Sequence, residues 1–425
     1  MNKLIKLSSA VTYNNNRIKS DKISLENFVT TDNILQNKAG ITLATNLPPQ
    51  GSTMPAFKTN NILVANIRPY LKKIWFANRN GGCSADVLVF DVKKDFYPKY
   101  VYYSMYRDDF FSHMMRGSKG TKMPRGDKNQ ILDFLLPNYD IHTQQKIASV
   151  LSSLDSKIEL NNRINNELEA MAKILYDYWF VQFDFPDANG KPYKTNGGKM
   201  VWNKELKKEI PEGWASKNLN YFGDFKNGIN YDPSIAGDTI ANIINVRNIS
   251  SSSLFIQKST LDQICLQGDN VQKYLVSNDD ILIARSGIPG ATRLMFEYNE
   301  NTIYCGFIIR FRVSNPVYKN YLFFSIKNIE KASTAKSAGT IMQNINQESL
   351  NRLIVIDPKD HLIDKFNEFI SPIFNKMNNI NNENQQLSSL RDWLLPMLMN
   401  GQVKVKDTVE ETLLIAAEEK VKYHS

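Results

Sequence analysis

The chain contains much of itself twice. Ile62-Leu63-Val64-Ala65 returns as Ile281-Leu282-Ile283-Ala284, an offset of 219, and Gly120-Thr121-Lys122-Met123 returns at the same offset as Gly339-Thr340-Ile341-Met342. Ile131, Phe134 and Leu136 fall on Leu350, Leu353 and Val355, and Leu168 falls on Leu387, with the register unchanged. Between these blocks the register slips by two residues, so that Phe90, Val92 and Tyr100 pair with Phe311, Val313 and Tyr321. One offset held over separated blocks marks a duplication and restricts the fold to two diverged copies of one architecture.

Each copy has two parts. The first reads as short strands, NILVANI and DVLVFDV in copy one, DILIARSG and GFIIRFRV in copy two, each bounded by Gly, Asn or Pro. The second is a long helix with an alternating 4-3 apolar stripe, the seam of a coiled coil. In copy one the seam runs Ile147, Leu151, Leu154, Ile158, Asn161, Asn165, Leu168, Ala172, Leu175, Trp179. In copy two it runs Phe366, Ile370, Ile373, Met377, Ile380, Asn384, Leu387, Arg391, Leu394, Leu398. The polar residues Asn161, Asn165, Asn384 and Arg391 cost stability but set register and partner orientation. Pro372 is expected to break the second helix unless Ser371 caps a restart.

The expected fold is therefore α+β. Two repeated β-rich, mixed α/β lobes are separated by two long helices that pair as an antiparallel coiled coil, giving a pseudo-twofold arrangement. The boundaries fall at 1–140 for the first lobe, 141–183 for the central helix, 184–210 for a linker, 211–358 for the second lobe and 359–402 for the distal helix. Residues 403–425 form an acidic tail. The linker, rich in Gly, Pro, Asn and Lys, reads as a connector rather than a core. A seam from Ile147 to Trp179 covers about 50 Å at 1.5 Å per residue, and heads held that far apart suit half-sites about one duplex turn or more apart.

A net charge of +9 favours a polyanionic partner. Its densest source is RGSKGTKMPRGDK, where Arg116, Lys119, Lys122, Arg125 and Lys128 face one acid, Asp127, among three glycines. Glycines let backbone approach a phosphate, while Lys and Arg neutralise it; the bland alternative is a solvated loop. The copy-two counterpart KSAGTIMQNINQ keeps Gly-Thr but offers Lys336, Gln343 and Asn344, groups suited to adenine edges. Further candidates follow predicted strands: Arg68, Lys72 and Lys73 in NIRPYLKK, and Arg285, Ser286 and Arg293 in ARSGIPGATR.

The chemistry of an enzyme is missing. No GxxxxGK[ST] loop, HExxH pair or GxSxG elbow occurs, so no metal site and no catalytic residues are assigned. Asn66-Ile67-Arg68-Pro69-Tyr70 comes near the NPPY loop of adenine methyltransferases, but it has an extra residue and lacks a preceding Gly-rich cofactor loop. Cys83, Cys265 and Cys305 show no metal-binding spacing and read as small buried hydrophobes. With neither a signal peptide nor an apolar run of membrane length, the cytoplasm is the expectation.

Three stretches together carry a family resemblance: LPNYDIHTQQKIASVLSSLDSKIELNNRINNELEAMAKILYDYWF, the linker FDFPDANGKPYKTNGGKMVWN with IPEGW, and LSSLRDWLLPMLMNGQV. The chain resembles the specificity subunit of Type I restriction–modification systems up to about Val403. That resemblance implies two target-recognition domains, each reading one half of a bipartite double-stranded DNA target. It also implies helices that set the spacer and dock two methyltransferase subunits, with restriction subunits joining them. No cofactor is expected on this chain; S-adenosylmethionine, ATP and Mg would belong to the partners. A self-sufficient methyltransferase or nuclease, and a coiled-coil adaptor that reads no sequence, are the competing expectations.

Overall fold

A computed structural model describes residues 3–120, 122–231, 237–296, 301–334 and 345–405. The chain divides into two compact units, Met1–Leu160 with Asn384–Ser425, and Asn161–Glu383. Each therefore contains one lobe together with a stretch of both long helices.

Each unit is built on a four-stranded sheet. The first orders Val11–Tyr13, Val87–Val92, Ile62–Ala65 and Ile74–Phe76; the second orders Gly223–Asn227, Ile308–Val313, Asp280–Ala284 and Thr292–Arg293. All neighbours are antiparallel, and the register repeats: Ile62 faces Phe90 as Ile281 faces Phe311. Ile62–Ala65 and Ile281–Ala284 are buried at every position, which is why they read as unbroken apolar runs rather than alternating ones.

The duplication extends to single hydrogen bonds. Tyr100 Oη donates to the Pro137 carbonyl at 2.7 Å, and Tyr321 Oη to that of Ile356 at 2.6 Å. Ser104 Oγ and Ser325 Oγ each donate to the carbonyl one helical turn earlier, Tyr100 and Tyr321, at 3.0 Å. Two short helices, Lys128–Leu132 and Gln347–Asn351, are capped by Asp127 and Asn346. At the entry to the central strand, Asn61 Oδ1 accepts from Lys58 N as Asp280 Oδ2 accepts from Ser277 N. Across the sheet Asn61 then bonds Asp91, while Asp280 pairs with Arg312. The position is shared, but its polar chemistry is exchanged. The copies differ in their second sheets, which have four strands in the first unit and three in the second.

The long helices span Ile141–Tyr176, continued by a π-turn to Val181, and Asp360–Asn400. Within the first unit Arg391 Nη1 meets Asp155 at 2.8 Å and Tyr139 Oη reaches the Met399 carbonyl at 3.1 Å. Within the second, Asn161 donates to Glu383 at 2.8 Å and Asn165 to Asn381 at 2.7 Å. Residue numbers rise on one helix as they fall on the other, so in each unit the pair is antiparallel. Ile147, Leu151, Leu154 and Leu394 are buried in the first unit, with Leu387 packed against them. Phe366, Ile370 and Met377 are buried in the second, with Leu168, Leu175 and Ile373 packed against them; Ile380 is buried and Ile158 half-buried. These helices share their cores with the lobes: Phe366 and Phe180 meet Tyr321 and Phe324 of the second lobe.

Three sequence expectations are corrected. Pro372 interrupts nothing, and Asp360–Asn400 is one helix. The proline lies on the exposed face with Glu368, the residue whose carbonyl loses its N–H partner, while Ile370 and Phe374 anchor the opposite face. The linker is not a bare connector. Its end Met200–Asn203 pairs with Lys208–Pro211, and Phe185, stacked between Tyr193 and Trp214, belongs to the second unit's core. Cys83 and Cys305 are buried, as small hydrophobes would be, but Cys265 is exposed. Most of the tail, 406–425, lies outside the described residues.

Candidate nucleic-acid interface

Two segments that are separate in sequence become one surface in the first unit. Arg68 N donates to the Pro124 carbonyl at 2.8 Å, Gly126 N to that of Asn66 at 3.2 Å, and Ile67 bridges Arg125. The loop after strand Ile62–Ala65 and the basic segment 116–128 are thereby stitched together. A tight left-handed turn makes this possible, with Arg68 at φ 53° and Lys72 at φ 51°. At the position equivalent to Arg68 the second unit has Gly287, at φ 78°.

The basic side chains differ in what they are committed to. Arg116 and Lys122 are exposed, with no ion pair among the described residues. Lys119 lies 3.6 Å from Asp127, and Lys128 sits over the Tyr13 ring, 5.8 Å from its centre. Arg125 is held by Asp86, while Lys72 meets Asp108 at 2.9 Å. Lys73 is half-buried: its ammonium bonds the Thr31 carbonyl, and burial lowers its pKa.

Asp86, Asp108 and Lys38 were not legible as site residues. Lys38 also meets Asp108 at 2.9 Å, and both it and Asn37 adopt positive φ. Burial works to raise the Asp108 pKa, but hydrogen bonds from Lys72 and Lys38 outweigh it and hold the carboxyl below its usual range. A depressed folded-state value adds stability above about pH 4 that is lost as pH falls through it. Asp108→Asn should therefore flatten the acid limb of the stability–pH curve below pH 4, read by thermal melting; an unchanged limb would remove Asp108 from that role.

In the second unit Arg285 and Ser286 leave the strand at the corresponding place. Arg285 N donates to the Phe307 carbonyl at 2.9 Å, matching Asn66 N to Asp86 at 2.8 Å in the first unit. The equivalent of Asp86 is thus Phe307, whose ring is 61% exposed. Arg293 is corrected. It is 6% exposed, its guanidinium pairs with Glu330 at 3.1 Å and bonds the Ser252 carbonyl at 2.7 Å, so it is a core ion pair. Lys336, Gln343 and Asn344 lie outside the described residues.

Among the described residues no group of three or more His, Cys, Asp or Glu could hold a metal ion, and no helix is long and apolar enough to cross a membrane. The paired β-frames present unlike side chains at one position, and in the first unit that position stands beside a strongly basic segment, an arrangement suited to a polyanionic partner. The family model of the Type I restriction modification DNA specificity domain matches residues 5–170. The HindI specificity subunit of Haemophilus influenzae is 24% identical over 444 aligned residues, covering 88% of this chain and 94% of that protein. The MjaIX specificity subunit of Methanocaldococcus jannaschii is 25% identical over 316 residues, covering 73% and 70%. The S subunit of M. genitalium shares the fold, with a TM-score of 0.52 at 13% identity, covering 93% of this chain and 96% of that one. Residues 5–170 thus match the DNA specificity domain of Type I restriction–modification systems, and most of the chain is similar to specificity subunits of those systems.

Proposed function

We propose that each lobe reads one half of a bipartite duplex target, that the helices set the spacer between the halves, and that they dock two methyltransferase subunits to which restriction subunits add. The observation that carries the two-headed reading is the matched backbone bond, Asn66 to Asp86 and Arg285 to Phe307, which presents unlike side chains from one frame. Methyl transfer from S-adenosylmethionine and ATP- and Mg-dependent cleavage would lie on the partners. Docking is supported by an apolar stripe on the first long helix, where Met171, Ile174, Tyr178 and Val181 face solvent one turn apart.

The test is a methylation map of DNA exposed to the chain with an adenine methyltransferase partner, beside each protein alone. Modified adenines at one split motif, only when both are present, are expected. Exchanging the second lobe for that of a relative should change one half of the motif and leave the other. A change in both halves would overturn the two-headed reading, and methylation by this chain alone would overturn its dependence on a partner.

A further inference from the structure

We infer that Arg125 reads a guanine in the half-site met by the first lobe, and that Asp86 is the positioning residue that aims it; the inference rests on the reading that this lobe meets DNA. Arg125 Nε and Nη2 lie 3.2 and 3.1 Å from Asp86 Oδ1. That contact occupies one side of the guanidinium. The other edge, one hydrogen of Nη1 and the second of Nη2, remains as a two-pronged donor. Guanine O6 and N7 are a pair of acceptors on the major-groove edge that such a fork matches.

The backbone around Arg125 is fixed as firmly as its side chain. Its N–H donates to the Lys119 carbonyl and its carbonyl accepts from Lys119 N, both at 3.0 Å, while the neighbours Pro124 and Gly126 are bonded to Arg68 and Asn66. Arg125 therefore loses little conformational freedom on binding. Asp86 is held from the same side, because its carbonyl accepts from Asn66 N. Stability does not account for the pairing: both side chains are substantially exposed, at 57% and 38%, and such pairs contribute little. Charge argues the same way. A carboxylate beside the guanidinium weakens its pull on a phosphate while leaving its donors in place, so the phosphate role falls to Arg116 and Lys122, which have no such partner among the described residues. Phe307 stands where Asp86 does in the second unit, so the arrangement belongs to one half of the target only.

The test uses the full chain with its methyltransferase subunit. The target is first selected from a pool of random duplexes, and each guanine is then replaced singly by 7-deazaguanine. The wild type should lose roughly 5- to 150-fold in affinity at one guanine in one half-site. Arg125→Ala should lose a similar factor on the unmodified target and become indifferent to that replacement; Arg125→Lys, which keeps the charge but not the fork, should do the same. Asp86→Ala should weaken the same base preference with an unchanged salt slope. Were Arg125→Ala to weaken all duplexes equally and reduce the salt slope by about one, Arg125 would be a phosphate contact and the inference would fall, with the DNA-recognition reading intact. An Asp86→Ala protein with full preference at that guanine would overturn the positioning role. A wild-type complex that selects no sequence would overturn both readings.

Discussion

Asp280→Ala is expected to destabilise the second unit by about 1–3 kcal/mol, the range for leaving a buried donor without its partner. The Asp280 side chain is fully buried, with Arg312 at 2.7 Å on both of its oxygens and Ser277 N at 2.6 Å. Arg310, itself buried, lies 3.8 Å away and would keep only Asp224, a largely exposed partner. Alanine thus takes from Arg312 its carboxylate and leaves the Ser277 N–H unpaired at the entry of a central strand, while Arg312 keeps the Leu275 carbonyl at 3.0 Å. The equivalent position in the first unit carries Asn61 bonded to Asp91, so the double change Asp280→Asn with Arg312→Asp installs that pair in the second sheet. Urea unfolding should show the single change shifting the second unit's midpoint strongly and the double change recovering part of it. A loss below about 1 kcal/mol would mean that water or a neighbouring carboxylate replaces Asp280.

Ile174→Asp is expected to release the methyltransferase partner while leaving the fold intact. Ile174 is 66% exposed, so a charge there costs the free chain little. In a docked complex the same carboxylate would be desolvated opposite an apolar surface. Losing a central apolar anchor costs about 2–4 kcal/mol of binding, roughly 30- to 1000-fold in dissociation constant. Co-purification and sedimentation would report the loss, and a melting temperature close to wild type would show that the chain itself is undisturbed. If the variant still binds its methyltransferase normally, the stripe from Met171 to Val181 is not the docking surface.

The duplicated frame was readable because its strands are buried on both faces: Ile62–Ala65 and Ile281–Ala284 admit only apolar residues, and that constraint preserves a pattern through divergence. That the long helices pair followed from the stripe for the same reason, whereas their antiparallel sense is set by contacts such as Arg391 to Asp155 and Asn165 to Asn381. Pro372 misled because sequence gives a proline's cost but not which face of the helix carries it. The linker misled through its Gly, Pro and Lys content, whereas Phe185 and Trp214 each carry enough apolar area to order the segment around them. Basic residues could be counted but not sorted. Arg293 and Arg125 look alike in sequence and each lies 3.1 Å from a carboxylate; burial separates them, with the Arg293 side chain 7% exposed and that of Arg125 57% exposed. Asp86 was invisible because a single acid before a strand has no pattern.

The paired tyrosine bonds carry a consequence for how such chains change over time. Tyr100 and Tyr321 donate to main-chain carbonyls, those of Pro137 and Ile356, and a carbonyl offers the same oxygen whatever side chain its residue bears. The joint between sheet, helix and exit strand is therefore blind to the sequences of the loops it supports. Recombination between related genes would carry a lobe from one chain to another with this joint intact, and a host lineage would acquire a new recognition sequence in one genetic event rather than by gradual mutation of the loops.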